Sequence, residues 1–152
     1  MSELVNLYDV VPEGDDADPP GYRARMARFG PTIGAEQLGG SVYELDPGDS
    51  VCPYHYEHPE EEWLLVLTGR PTLRDPDGEH ELEEGDLVCF LEGPEGAHKV
   101  TNGTETTVRI LMLSTKATTA VAVYPDSGKV GVWPIGKLFR LEDAVDYWDG
   151  EL

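Results

Sequence analysis

A small all-β barrel is the fold this sequence predicts, and three observations predict it. Short segments rich in β-branched and aromatic residues recur at close, regular spacing. Glycine, proline and aspartate clusters punctuate them. Within them, polar and apolar residues alternate with the period of a pleated strand.

The elements follow in chain order. Residues 1–20 are acidic and contain proline, with one strand expected near Leu4–Val11, and read as an arm. Turns are marked at Asp46-Pro-Gly48, Asp75-Pro-Asp-Gly78, Glu84-Gly85 and Asn102-Gly103. Between them, strands are expected over Ser41–Leu45, Ser50–Tyr56, Trp63–Leu67, Thr72–Arg74, His80–Leu82, Asp86–Leu91, His98–Thr101 and Val108–Leu113. A further pair, Ala120–Tyr124 and Lys129–Trp133, flanks a turn at Pro125–Gly128, and Leu141–Trp148 reads as one helical piece. The organisation is therefore an arm over 1–20, a barrel over 21–135 and a C-terminal extension over 136–152.

Composition narrows the function classes. A chain of 152 residues forms one core without staples, and 30 acidic against 11 basic residues give a formal net charge of -19. That field repels nucleic acid and anionic membrane, so the expected partner is a small-molecule substrate or ligand. No stretch has the length of a membrane span, and no basic region followed by an apolar run opens the chain, so a cytoplasmic location is expected. Cys52 and Cys89 lie in apolar strand patterns and read as buried free thiols rather than a disulfide framework.

The chemistry concentrates in two glycine-bounded stretches, Gly48 to Gly69 and Gly85 to Asn102. In the first, strand alternation turns His55 and Glu57 to one face and Tyr56 and His58 to the other; Pro59 ends the strand. The chain returns as Glu62-Trp-Leu-Leu-Val-Leu67, with Glu62, Leu64 and Val66 on one face. Both faces are apolar, so Glu62 is a carboxylate among apolar neighbours, costly unless a metal ion or an arginine pairs with it. In the second stretch His98, Val100 and Asn102 face inward, opposite Lys99 and Thr101. Imidazoles and carboxylates together suit iron, manganese, nickel or zinc, and one divalent ion is the expected cofactor.

At these residues the sequence resembles the cupin superfamily. Gly48, His55, Glu62 and Gly69 fall on its first motif, with six residues between Glu62 and Gly69; Gly85, Gly93, His98 and Asn102 fall on its second. The resemblance implies a double-stranded β-helix of the jelly-roll type, often a homodimer, with His55, Glu62 and His98 as metal ligands near the barrel mouth. This sequence departs from the pattern in three places. Glu57 stands where the second histidine of His-x-His is expected: either Glu57 supplies an oxygen ligand, the reading alternation favours, or a bulge at His58-Pro59 swings His58 inward. Leu91 replaces a proline and the Gly93–His98 spacer is long. Glu61 adjoins Glu62, so a shift of one residue exchanges their roles.

The ligand set is thus His55, Glu57, Glu62 and His98, whose two carboxylates would cancel a divalent ion and favour manganese or iron over zinc. Proton shuttling is assigned to Glu61 or to a tyrosine beside the first stretch, among Tyr43, Tyr54 and Tyr56, with Tyr54 foremost. Arg23, Arg25 and Arg28 cluster and read as surface partners for acidic groups, with an anion clamp as the alternative. His80 is expected in solvent, and Lys129 and Trp133 against the tail or a partner subunit. Three functions fit: a metal-dependent enzyme on a small polar molecule, of isomerase, dioxygenase or decarboxylase type; a non-catalytic module binding a small ligand or metal; and metal-free sugar epimerisation, which leaves Glu62 unpaired.

Overall fold

The computed structural model describes residues 3–151, which form a β-barrel of three antiparallel sheets. The strands are β1 (Arg25–Arg28), β2 (Leu38–Leu45), β3 (Tyr56–His58), β4 (Glu62–Thr68), β5 (Thr72–Asp75), β6 (Gly78–Glu81), β7 (Leu87–Phe90), β8 (Lys99–Thr101), β9 (Val108–Thr115), β10 (Ala120–Tyr124), β11 (Lys129–Trp133) and β12 (Lys137–Arg140). One sheet has the order β1-β2-β9-β4-β7, a second β12-β11-β10-β3 and a third β6-β5-β8. Together they make the jelly-roll barrel that the resemblance implied.

Pairing register explains which side chains meet. Along β2 and β9 the partners run from Leu38↔Thr115 to Leu45↔Val108, and β4 follows with Glu62↔Ser114, Leu64↔Met112 and Val66↔Ile110. Opposed residues on antiparallel strands share a face. Leu64, Val66, Val108, Ile110, Met112 and Phe90 therefore point into the barrel, where they pack with Leu73 and Val100 from the smallest sheet. The opposite face of the large sheet carries Phe29, Val42, Leu67 and Leu111. The two-sided apolar pattern of β4 thus has two destinations.

The N-terminal arm supplies the second cover. Residues near Leu4–Val11 form no strand; they run irregularly through a turn at Leu7–Asp9 and lay Val5, Leu7 and Val10 on that outer cluster. Arg109 ties the arm down. It lies on the outer face of β9, buried beneath the arm, ion-paired with Glu44, and its Nη2 donates to the carbonyls of Leu7 at 2.7 Å and Val10 at 2.5 Å. A guanidinium's several fixed donors suit this task, which an ammonium could not match.

Asn102 closes the opposite end of the second stretch. Fully buried, it donates from Nδ2 to the carbonyls of Leu45 and Thr106, both at 2.8 Å, and accepts the Thr104 N–H at Oδ1 at 2.9 Å. It is a strut between strands.

Three further expectations need correction. Ser50–Tyr56 is not a continuous strand: isolated bridges at Ser50 and His55 bracket bends at Val51–Tyr54, because Pro53 interrupts the ladder. Leu141–Trp148 is not helical beyond one turn at Leu141–Asp143; the segment has no partner strand or helix to cover an apolar stripe. Cys89 is exposed rather than buried, since β7 is the edge of its sheet. The extension instead contributes β12, which pairs with β11.

Replacing Arg109 with alanine takes from Glu44 one of its two guanidinium partners, Arg25 remaining, and leaves the Leu7 and Val10 carbonyls without a donor beneath the arm. We expect a loss of about 3 kcal/mol in denaturant unfolding, with faster proteolysis near residues 4–13; Arg25→Ala, at a more exposed pair, should cost far less.

Candidate metal centre

His55 and His98 are joined by their backbones. The His55 N–H donates to the His98 carbonyl at 3.1 Å and the His98 N–H returns the bond to His55 at 2.8 Å. Two residues that exchange both bonds project their side chains from the same face, so the imidazoles come out side by side, ring centroids 4.8 Å apart. Each ring is then oriented by a carbonyl two residues before it: His55 Nδ1 lies 3.0 Å from Pro53 O and His98 Nδ1 lies 2.9 Å from Gly96 O. A carbonyl only accepts, so both Nδ1 atoms carry hydrogen, and in the neutral ring Nε2 is then the nitrogen with the free lone pair. That is the tautomer a metal-ligating histidine adopts.

Local sequence explains both carbonyls. The bends around Pro53 aim its oxygen under His55. Before His98, the long spacer forms a single 3-10 turn at Pro94–Gly96 that runs tightly against Leu91; a Cβ on Gly96 would lie 1.7 Å from the Leu91 carbonyl oxygen. Only glycine fits there. Phe90 on β7 stacks on His98 at 3.7 Å and 9°, fixing the ring's plane.

The carboxylates arrive from two sheets. Glu62, first residue of β4, places Oε2 at 3.3 Å from His98 Nε2 and 3.9 Å from His55 Nε2. The donor atoms of His55, Glu62 and His98 all lie within 4.8 Å of one another. Glu57 on β3 comes from the facing sheet, with Oε1 at 4.0 Å from His55 Nε2. Burial, a hydrogen bond with Glu60 and the charge of Glu62 push its carboxyl up to about 8. Burial, with His98 beside it, holds the His55 imidazolium below its ordinary range, so this ring stays neutral. The donor set fits a divalent cation: bare imidazole nitrogens aimed inward, and crowded carboxyl groups that lack an opposing charge.

The cluster lies at the base of a cavity of about 260 Å³, walled also by Tyr43, Cys52, Met112, Tyr124 and Trp133. Tyr124 stacks over His55 at 5.9 Å. Trp133 folds back over its own strand: a Cβ on Gly131 would meet its ring at 2.6 Å. Burial, with Cys52 and Glu62 adding, pushes the Tyr43 hydroxyl up to about 12, and burial likewise raises Tyr124. Both are neutral phenols, able to donate a proton or a hydrogen bond. Cys52, half-buried, has its thiol pushed up to about 12 by burial and the two carboxylates, so without a metal it stays protonated.

The fold brings some expected residues together and parts others. His55, Glu57, Glu62 and His98 converge on the cavity. His58 faces away, exposed, with Nδ1 at 3.6 Å from Glu92. Glu61 is also turned outward, accepting from Trp63 Nε1 at 2.8 Å beside a separate hollow with Leu38 and Leu113. Tyr54 is buried under the Arg74 guanidinium, 4.0 Å from its ring, and does not line the cavity. His80 is exposed and meets Asp75. Tyr124 and Trp133 were not read as site residues; they lie far along the chain and reach the cavity only because β10 pairs with β3, setting Ala122 against Glu57. Alternation within β10 then carries Tyr124 to the same face as Ala122, but nothing in the sequence names that partner strand.

Comparison with known proteins agrees with this architecture. The cupin domain family matches residues 41–114. No curated protein matches the chain. Among solved structures, a proposed sugar phosphate isomerase from Acidithiobacillus ferrooxidans is 24% identical, with 94% of this chain and 95% of that chain covered at a TM-score of 0.83. A sugar phosphate isomerase from Silicibacter pomeroyi is 24% identical, covering 96% of this chain and 98% of that one at 0.81. The polyketide cyclase RemF from Streptomyces resistomycificus, also 24% identical, covers 76% and 80% at 0.62. These likenesses speak to the fold. The matched segment, residues 41–114, spans both histidines and both carboxylates of the cavity, and that segment is a cupin domain.

Proposed function

We propose that the chain is a metal-dependent enzyme acting on a small polar molecule, with isomerase-type proton transfer next to a carbonyl as its reaction. One observation carries the reading: two bare Nε2 atoms and a carboxylate, delivered by three separate segments, meet within 4.8 Å at the base of a cavity. His55, Glu62 and His98 would hold the ion, and Glu57 would complete the set with a second negative charge. The ion, when bound, supplies Lewis-acid polarisation of a carbonyl or enediol oxygen.

The chain's own groups move the protons: the ionised Glu57 carboxyl, through the oxygen not given to the ion, takes the proton from carbon and returns it. Tyr43 and Tyr124 hold their protons at Oη within the cavity, where a phenol can donate to an oxygen that gains charge. They take the role first assigned to Tyr54 and Glu61, which the fold places elsewhere. Phe90, Tyr124 and Trp133 form apolar wall around the imidazoles and limit water there. The isomerase descriptions of two proteins of the same fold belong to those proteins; here the reading stands on the side chains.

Elemental analysis of untagged protein should find about one divalent ion per chain, and His98→Ala should lose it while keeping a native circular dichroism spectrum. Equal metal content in the two proteins would remove the centre. Catalysis has its own test. With the metal-loaded protein in heavy water, small hydroxy-carbonyl compounds should gain deuterium beside the carbonyl; Tyr43→Phe should slow this about 100-fold with metal content unchanged, whereas Tyr54→Phe and Glu61→Gln should leave it intact. Ligand-induced thermal shifts without any exchange would instead mark a binding module.

Metal-free protein should also show a diagnostic pH dependence. Glu57, at about 8 when folded and near 4.5 when unfolded, keeps a proton in the native state that the unfolded chain releases, so its contribution falls as pH rises through that window. His55 opposes this only below about 6.5, where the unfolded chain takes up the proton that the buried ring refuses. The melting temperature should therefore drop between pH 6.5 and 8, and Glu57→Gln should flatten the drop.

A further inference from the structure

A second hollow adjoins the metal centre. Its volume is about 410 Å³, and it shares Tyr43, Glu62 and Met112 with the first. Its remaining wall is unlike the rest of this acidic surface: it holds Arg28 and Lys116 together with Ser41 and Ser114. Register puts these groups on one side. Arg28 pairs with Ser41, Ser41 with Met112, and Ser114 with Glu62, so all point from the inner face of the large sheet.

Among the arginines, pairing sets Arg28 apart; Lys116 lacks a carboxylate partner as Lys99 and Lys129 do, but it lines the same hollow as Arg28 and they do not. Among the described residues, Arg25, Arg70, Arg74, Arg109 and Arg140 each lie against a carboxylate. Arg23 gives its Nε to the Asp18 carbonyl. Among the described residues Arg28 has no carboxylate within ion-pair distance, and the Lys116 ammonium donates to the Ala35 carbonyl at 2.9 Å. In a chain of charge -19, two cations left without carboxylate partners on one cavity wall are available to an anion from outside. Neutral surface pairing, the role expected for the arginine cluster, holds for Arg25 and not for Arg28.

We propose that this hollow is an oxyanion subsite that takes a phosphate dianion of the substrate whose carbonyl end lies against His55, Glu62 and His98. Two fixed positive charges balance a dianion, the guanidinium can grip two of its oxygens, and the Ser41 and Ser114 hydroxyls can donate to the others. Gly39 leaves backbone rather than side chain beside Ser114 on this wall, so a bulky tetrahedral group can approach. Glu62 borders both hollows; its charge is directed to the cation on the far side. The subsite rests on the catalytic reading for its partner end, and phosphate binding tests it separately.

The probe is inorganic phosphate, titrated calorimetrically into wild-type, Arg28→Ala and Lys116→Ala protein, with and without manganese. We expect saturable one-to-one binding to wild type, weakened about tenfold by each substitution, no saturable binding of acetate, and unchanged metal content in both variants. In the manganese-loaded protein, the phosphorus resonance should broaden, since the two hollows adjoin. Phosphate binding equally to all three proteins, or acetate binding as tightly as phosphate, would overturn the assignment. Phosphate binding by a protein that takes no metal would keep the subsite and sink the metal reading. Metal uptake with no phosphate binding would do the reverse.

Discussion

The reciprocal backbone bridge between His55 and His98 is the constraint on which the site depends. Two amide bonds fix the spacing of the residues, and two further bonds from Nδ1 to carbonyls fix ring direction and tautomer. No side chain needs to be ordered by a ligand. Preorganised donors of this kind do not spend binding energy on reorganisation, because the fold has already fixed their rotamers. Phe90 completes the arrangement: it belongs to the barrel core and simultaneously stacks on His98, so packing of the interior and orientation of the site are one event.

Electrostatics distributes the rest. Most arginines of this strongly acidic chain are consumed by carboxylates or backbone oxygens on the outside, including Arg109 under the arm. The barrel mouth keeps the reverse situation in two neighbouring places: carboxyl groups that lack a cation, and cations that lack a carboxylate. They do not neutralise each other because they sit in adjoining hollows rather than in contact. Under the proposed reading, a bound cation answers the first imbalance and the anionic end of a substrate answers the second.

Strand parity around the two histidines was more legible in the sequence than the walls of the cavity. Alternation alone put His55 and Glu57 on one side of a strand and His58 on the other, and the structure keeps that division, with His58 exposed against Glu92. The inward set of β4, Glu62 with Leu64 and Val66, is likewise set by period two. Glu61 could not be separated from Glu62 with confidence by pattern, because register depends on the partner strand; the pairing of Glu62 with Ser114 and Phe90 decides it. The strand expected over Ser50–Tyr56 breaks at Pro53, which cannot donate to a ladder, and the tail looks helical only because isolated periodicity says nothing about a partner to bury it.

By itself the sequence determined the strand-rich class, the turn positions, the inward parity of His55, Glu62 and His98, and the excess of negative charge. These are local properties, set by side-chain period, backbone restrictions of proline and glycine, and composition. Tertiary structure alone decided that Tyr124 and Trp133 wall the cavity, that Tyr54 and Glu61 do not, that Arg109 anchors the arm and that Arg28 stands without a carboxylate partner. Each of those depends on which strands lie side by side, a choice made by burial of the whole core and invisible to any short window of residues.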